Sequence, residues 1–239
     1  MMLATTLIVA ALVGSSFTPR AVVPSVAPNL SVSATPTAFN PEASPRAAAT
    51  AIEIVSSIAG TLSVDVVTEA GPVFGSLLSA TAIDAGSTTA ISWDAAGATD
   101  GVYGIRATLV DGAGVTSKSL VPVVVDSTAP TLVLKTPQPT LTATGPVAIS
   151  VTAYDLSGLV RASLVVENQL GDRLGTVVVP VTADAAGATL DWDLRLRQRL
   201  LLPGVYRLRV TGSDEAGNVG QSTTRVLRVD RAVKNDVIY

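Results

Sequence analysis

The sequence predicts an all-β chain built as two β-sandwiches in tandem, and three observations carry that prediction. First, apolar and polar residues alternate with period two in Ala51-Ile52-Glu53-Ile54, Leu62-Ser63-Val64-Asp65-Val66, Val147-Ala148-Ile149-Ser150-Val151 and Tyr206-Arg207-Leu208-Arg209-Val210, the mark of strands with one buried face. Second, turn-forming groups recur at strand-length intervals: Glu69-Ala70-Gly71, Asp84-Ala85-Gly86, Asp100-Gly101, Gly171-Asp172 and Pro203-Gly204. Third, a set of landmarks occurs twice. No stretch after residue 30 sustains a 3.6-residue period, and about seven short strands per ~100 residues is the density of a sandwich.

The repeat is legible residue by residue. Ile91-Ser92-Trp93-Asp94 returns as Leu190-Asp191-Trp192-Asp193, and Gly101-Val102-Tyr103 as Gly204-Val205-Tyr206. Asp111-Gly112-Ala113-Gly114 returns as Asp214-Glu215-Ala216-Gly217, and Val123-Val124-Val125-Asp126 as Leu227-Arg228-Val229-Asp230. The order is kept at a spacing of roughly 100 residues, as two copies of one unit require. The second copy carries a four-residue insertion between its Trp and its Tyr.

Taken in chain order, the segments read as follows. Met1 to Val13 is apolar and is followed by Gly14-Ser15-Ser16. From Leu3 onward it would span about 16 Å as a helix, short of a bilayer core of about 30 Å, which fits the apolar region of a secretory signal peptide and not a transmembrane span. Residues 1–28 are therefore expected to be a signal peptide and spacer, and residues 29–127 the first sandwich. Asp126-Ser127-Thr128-Ala129-Pro130 is the junction. Pro130 fixes its own φ and drives Ala129 extended, so the joint is expected to be short and stiff. Residues 128–230 form the second sandwich and 231–239 a tail. Val229-Asp230-Arg231 resembles that junction, which the alternative reading, an accessory region of a longer secreted hydrolase, takes as the place where a further domain began.

Composition removes several functions. The 239 residues include no Cys and no His, which excludes disulfides, thiolate nucleophiles, imidazole bases and imidazole metal ligands. Lys plus Arg is 16 against 19 for Asp plus Glu, without the dense basic surface that nucleic-acid binding requires. The charge is uneven. Residues 1–130 hold four basic and nine acidic side chains, residues 131–239 twelve and ten.

The repeated aromatics have structural work to do. Trp93 and Trp192 end alternating strands and are expected in the two cores. Tyr103 and Tyr206 follow Gly-containing turns, where a Tyr buries its ring and returns its hydroxyl to nearby backbone. Too few aromatics remain for a sugar-stacking platform.

These motifs carry a resemblance. Thr35-Pro36-Thr37-Ala38-Phe39-Asn40-Pro41, Trp93-Asp94, Asp100-Gly101-Val102-Tyr103 and Asp111-Gly112-Ala113-Gly114 are similar to the FlgD-type immunoglobulin-like domain. The second unit resembles the same group through Trp192-Asp193, Gly204-Val205-Tyr206 and Asp214-Glu215-Ala216-Gly217-Asn218. It departs at Pro137-Gln138-Pro139-Thr140, where it is closer to general bacterial Ig-like repeats. The resemblance implies two tandem Ig-like (fibronectin III-like) sandwiches. Such domains occur as spacers in exported surface proteins, as appendages of secreted hydrolases and in the flagellar hook-capping scaffold.

Ca²⁺ is the ligand the residue types suggest, a hard cation that takes carboxylate and carbonyl oxygens. Asp214 and Asn218 share a tight turn, Asp155 could share the same end of the sandwich, and Asp230 could approach from the next strand. The favoured reading is that Asp and Asn stabilise turns through their own backbone, since the first copy has no Asn at this place. Arg195, Arg197 and Arg199 alternate in the insertion, either as a basic loop for an acidic glycan or partner, or as a strand extension with a solvated face. Asp94, Asp191 and Asp193 offer no paired acid for glycoside hydrolysis.

The expected function is thus a non-catalytic exported module, secreted or at the cell surface, with a periplasmic site as the alternative. It would act as a spacer or as an adhesion element toward a protein or cell-envelope partner, without catalytic residues or a cofactor, calcium being the one ligand left open. The competing functions are an accessory region of a larger secreted hydrolase and a hook-capping-like scaffold.

Overall fold

The computed structural model describes residues 29–43, 48–136, 140–143, 145–181 and 187–230. The apolar leader, the Pro137-Gln138-Pro139 element and the tail 231–239 lie outside the described residues. Every regular element of the described residues is a strand.

The first unit supplies β1 (Leu30–Thr35), β2 (Ala38–Phe39), β3 (Thr50–Ser56), β4 (Gly60–Thr68), β5 (Val73–Ile83), β6 (Thr88–Trp93), β7 (Gly101–Val110) and β8 (Thr116–Val125). They form a three-stranded sheet, β1-β3-β6, and a five-stranded one, β2-β8-β7-β4-β5. The strand β3 shows why. Its sequence, TAIEIVS, is buried at every second residue, so one face must meet another apolar sheet. Ile52 and Ile54 from that face meet Leu62, Val64 and Val66 of β4 and Ile105 and Leu109 of β7 in one core.

The second unit repeats the plan. It contains β9 (Thr131–Lys135), β10 (Thr140–Ala143), β11 (Val147–Tyr154), β12 (Leu159–Asn168), β13 (Arg173–Val179), β14 (Gly187–Trp192), β15 (Arg195–Leu196), β16 (Arg199–Leu200), β17 (Gly204–Asp214), β18 (Val219–Gln221) and β19 (Arg225–Val229). The sheets are β14-β11-β9 and β10-β19-β17-β12-β13, with β18 beside β17 and β15-β16 a separate hairpin. The order in both units, with the first strand split between the two sheets, is that of an Ig-like or fibronectin III-like sandwich. Each unit has its own core, the second built on Leu134, Ile149, Leu164, Leu208, Trp192 and Leu227.

Both Trp and Tyr pairs sit where the repeat places them. Trp93 and Trp192 are buried, but they are held differently. Around Trp93 stand Phe39, Phe74 and Tyr103, edge-on at 5.8, 6.4 and 5.2 Å between ring centroids. Trp192 instead donates its indole N–H to the Arg195 carbonyl at 2.9 Å and packs in the core that holds Leu194 and Leu196. The insertion of the second copy thus replaces the aromatic surround of the first.

The Tyr103 hydroxyl donates to the Thr99 carbonyl at 2.9 Å, and that of Tyr206 to the Leu202 carbonyl at 2.7 Å. Each bond pins the loop that enters the strand β7 or β17. The Tyr103→Phe variant is expected to lose about 1 kcal/mol, read as a lower urea midpoint with an unchanged slope.

Candidate functional site

The two units meet at a joint built from loops on both sides of Asp126-Ser127-Thr128-Ala129-Pro130. Two loops of the second unit face it: the β11–β12 turn with Asp155, and the β17–β18 turn from Asp214 to Asn218. Both turns are set by local chemistry. Asp155 Oδ2 accepts the backbone N–H groups of Ser157 and Gly158 at 3.1 and 2.8 Å. Asp214 Oδ1 accepts the Asn218 N–H at 2.8 Å, and Gly158 and Gly217 take φ of 85° and 90°, a region open to Gly without steric cost.

The linker is tied down twice. Asp100 accepts from Ser127 N–H at 2.9 Å, Ser127 Oγ at 2.8 Å and Thr128 Oγ1 at 2.7 Å. Burial opposes ionisation of Asp100, but these hydrogen bonds from Thr128 and Ser127 outweigh it and hold its carboxyl below the usual range. Asp126, fully buried, donates its backbone N–H to the Phe39 carbonyl at 3.1 Å. Its carboxylate accepts from Thr128 N–H and, across the joint, from Ser157 N–H, each at 3.1 Å.

Asn218 is the centre of the contact. Its Nδ2 lies 2.9 Å from the Asp126 carbonyl, 3.2 Å from the Thr128 carbonyl and 2.9 Å from Asp214 Oδ2. Its Oδ1 accepts from Asn40 Nδ2 at 2.6 Å, and Thr37 Oγ1 donates to Glu215 Oε1 at 2.8 Å. Three of these five contacts cross between units, while the one to Thr128 ties Asn218 to the linker and the one to Asp214 to its own turn. Gly220 completes the fit, because a Cβ there would collide with the Pro130 carbonyl oxygen.

Three carboxylates converge here: Asp126, Asp155 and Asp214 each place an oxygen within 4.8 Å of the others. Burial, and then the charges of Asp126 and Asp214, raise the Asp155 carboxyl above the usual carboxylate range. Asp214 is also raised, first by burial and further by Asp126, against the opposing hydrogen bonds from Asn218. A raised folded-state value means that the folded chain binds protons the unfolded chain releases. Without a cation, stability is therefore expected to increase as pH falls from neutral through these raised values. The gain ends near the unfolded value of about 3.9. Melts across this window in a chelator-containing buffer read the slope.

Of the four residues that sequence reasoning offered for calcium, the structure brings together Asp155, Asp214 and Asn218. Asp230 is elsewhere, at the far end of the second unit, where it pairs with Arg228 at 3.1 Å. The residue missed is Asp126, which holds in the first unit the place that Asp230 holds in the second. Each donates its N–H to the last residue of the short parallel strand beside it, Phe39 or Ala143. The repeat therefore contained the signal. What decides the partner is head-to-tail order, since the end of one unit meets the start of the next.

The fold and this joint define a tandem of Ig-like β-sandwiches. No protein-family model matches the chain, and no curated protein is significantly similar in sequence. Among solved structures it is similar to the tetra-tandem repeat in the extending region of a large adhesion protein, with 16% identity and a TM-score of 0.41 over 84% of this chain. The chain spans 49% of that structure. It is also similar to the fibronectin(III)-like modules of Clostridium thermocellum CbhA, with 19% identity, a TM-score of 0.36 and coverage of 87% of this chain and 99% of that one. Murine CEACAM1b is similar at 11% identity and a TM-score of 0.38, over 84% of this chain and 100% of that one. Among the described residues no helix is long and apolar enough to cross a membrane.

Proposed function

We propose that this chain is a non-catalytic, exported Ig-like tandem module, a spacer or adhesion element at the cell surface, whose joint is locked by a calcium ion. The observation that supports this most is the joint itself, where side chains of both units are spent on fixing one relative orientation. A spacer needs that property, because two sandwiches on a free linker would transmit neither reach nor force. The carboxylates beside Trp192 are spent or solvated: Asp193 pairs with Arg195 at 3.3 Å, and Asp191 is exposed. The motifs keep the FlgD-type domain as the finer family reading.

The residues at the joint fit a hard cation. Calcium takes oxygen ligands at about 2.3–2.6 Å, so oxygens around one ion stand up to roughly 5 Å apart, and the three carboxylates satisfy this. Their oxygens keep free lone pairs after the backbone bonds described. The amide of Asn218 faces three acceptors with two hydrogens, a surplus of oxygen that a cation relieves. Asp126, Asp155 and Asp214 would hold the ion, which would neutralise their mutual repulsion and tie the last strand of one unit to two loops of the next.

A thermal melt with calcium and with chelator tests this. At a calcium concentration one hundred times the dissociation constant, binding adds about 2.7 kcal/mol, read as a rise in Tm that Asp126→Asn abolishes. Identical melts in calcium and chelator would remove the cation from the proposal, and free relative motion of the units in both would remove the spacer.

A further inference from the structure

The end of the second unit away from the joint carries a surface that the first unit lacks. The strand β12 runs from Leu159, paired with Asp214 at the joint, to Asn168, paired with Tyr206. At about 3.3 Å per residue this places the far end roughly 30 Å from the joint. The β12–β13 turn there matches the β4–β5 turn of the first unit bond for bond. Asn168 N–H donates to the Asp172 carbonyl and Gly171 N–H to the Asn168 carbonyl, as Thr68 and Gly71 do with Pro72 and Thr68. In that shared frame Ala70 is replaced by Leu170 and Val73 by Arg173. A turn that needs neither leucine nor arginine has acquired both.

The inserted hairpin adds to the same end. Arg195 braces it, through Asp193 and through a hydrogen bond from Nη1 to the Gln198 carbonyl at 3.1 Å, while Leu194 and Leu196 enter the core. Its tip is Arg197-Gln198, both left-handed at φ 49° and 68°. Two consecutive positive φ values form a tight hairpin turn that favours Asn-Gly, so a long basic side chain stands here against backbone preference. Arg197 faces Arg173, Leu174 and Thr176 across an open cavity of about 230 Å³. Among the described residues neither Arg173, Arg197 nor Arg199 forms an ion pair, whereas Glu167, Asp193 and Asp230 are paired with Arg209, Arg195 and Arg228, and Asp172 of the same turn accepts from Asn168 Nδ2 at 2.8 Å. Leucines stand out between these arginines: Leu170 is 87% exposed, Leu202 75% and Leu200 58%.

We propose that this end docks on an anionic phospholipid surface. The guanidinium groups of Arg173, Arg197 and Arg199 engage headgroup phosphates, and Leu170, Leu200 and Leu202 enter the interface between headgroups and acyl chains. Free cations interleaved with exposed aliphatic side chains are the combination that binds membrane surfaces. An acidic polysaccharide would use the arginines but has no use for the leucines. An acidic peptide could add along the open edge of β13 beside Arg173 and Arg197, but it would leave the leucines of the projecting turns unused. With the membrane at this end, the first unit is held beyond the joint, which is what a spacer does. The docking surface itself does not depend on that reading.

The test is co-sedimentation of the full chain with phosphatidylcholine vesicles, with and without phosphatidylglycerol. Phosphatidylglycerol is expected to increase binding, and added salt to reverse the increase. The triple variant Arg173→Ser, Arg197→Ser, Arg199→Ser is expected to lose the phosphatidylglycerol-dependent part by about a hundredfold, at roughly tenfold for each 1.4 kcal/mol and about 1 kcal/mol per arginine. The triple variant Leu170→Ser, Leu200→Ser, Leu202→Ser is expected to bind anionic vesicles more weakly with the same salt dependence. All variants keep Met1 to Val13, so this apolar segment contributes equally to each. Equal binding to both vesicle types, or full retention by the arginine variant, would overturn the proposal. So would arginine-dependent capture of soluble polygalacturonate or an acidic peptide in place of vesicles, or a dimer of the chain that the leucine variant dissolves. Each of these outcomes leaves the calcium melt at the joint unaffected.

Discussion

Replacing Trp192 with alanine is expected to destabilise the second unit by about 3–5 kcal/mol, the range for truncating a buried tryptophan, and to leave the first unit nearly untouched. Trp192 is buried against Leu194 and Leu196 of the insertion, and its indole N–H fixes the Arg195 carbonyl. Alanine therefore opens a cavity and frees a backbone acceptor together. The hairpin β15-β16 is expected to detach with it, since Leu196 then loses the core that holds it. For a sandwich of this size each kcal/mol shifts Tm by about 4–8 °C, so calorimetry should resolve two transitions in place of one. Fluorescence of the remaining Trp93 reports which unit survives. The expectation rests on the two cores being separate, each with its own sheets. A single transition that moves as a whole would show that the cores unfold together, and that the joint couples them more strongly than its hydrogen bonds suggest.

The architecture was legible because it rests on local, repeated chemistry. Period-two alternation wrote β3, β4, β11 and β17 into the sequence, and the doubled Trp and Tyr landmarks fell on matching strands. What the landmarks could not show is how each indole is surrounded. Phe39 and Phe74 reach Trp93 from the strands β2 and β5, which are remote in sequence, and the matching strand of the second unit offers Leu174 and not Phe74. The insertion looked like a basic strip of three equivalent arginines. In the fold Arg195 is an internal brace, Leu194 and Leu196 are core, and Arg197 with Arg199 faces outward.

The candidate site was half legible for a different reason. Asp155, Asp214 and Asn218 lie on turns whose sequences name them, so proximity at one end of a sandwich followed from strand order. Asp126 reads as the last polar residue before a linker, and nothing local marks it as buried. Its burial comes from the second unit closing over it, which is long-range information. Asp230, its repeat equivalent, was the natural substitute for a reading confined to one unit. Asp126 is 0% exposed, whereas the Asp230 side chain is 40% exposed. The two aspartates hold equivalent places, and among the described residues the loops of a following unit close over Asp126 while Asp230 pairs with Arg228.

That contrast sets the expectation for the joint. Substituting Asn218 with Val, the residue that stands at this position in the first unit as Val115, is expected to release the two units from their fixed orientation while both sandwiches stay folded. Val115 is 61% exposed, so the turn itself tolerates valine, and Asp111 holds that turn alone by accepting from Ala113 and Val115 N–H at 2.9 and 2.8 Å. In the second unit the same change removes the donors to the Asp126 and Thr128 carbonyls and to Asp214, and the acceptor of Asn40. At about 1 kcal/mol per hydrogen bond, with a further cost where a buried acceptor is stranded, the joint stands to lose roughly 3–5 kcal/mol. That is enough to populate detached arrangements, because the side-chain bonds that still cross the joint are the exposed Thr37–Glu215 contact and Ser157 N–H to the Asp126 carboxylate, at about 1 kcal/mol each. Residual dipolar couplings measured on each unit separately provide the readout: one alignment tensor for the parent chain, two for the variant. If one tensor still describes the variant, the Ser157–Asp126 and Thr37–Glu215 bonds with the short linker carry the orientation, and Asn218 only decorates it. Calcium sharpens the experiment, since an ion held by Asp126, Asp155 and Asp214 would restore a single tensor to the variant and leave the chelated sample with two.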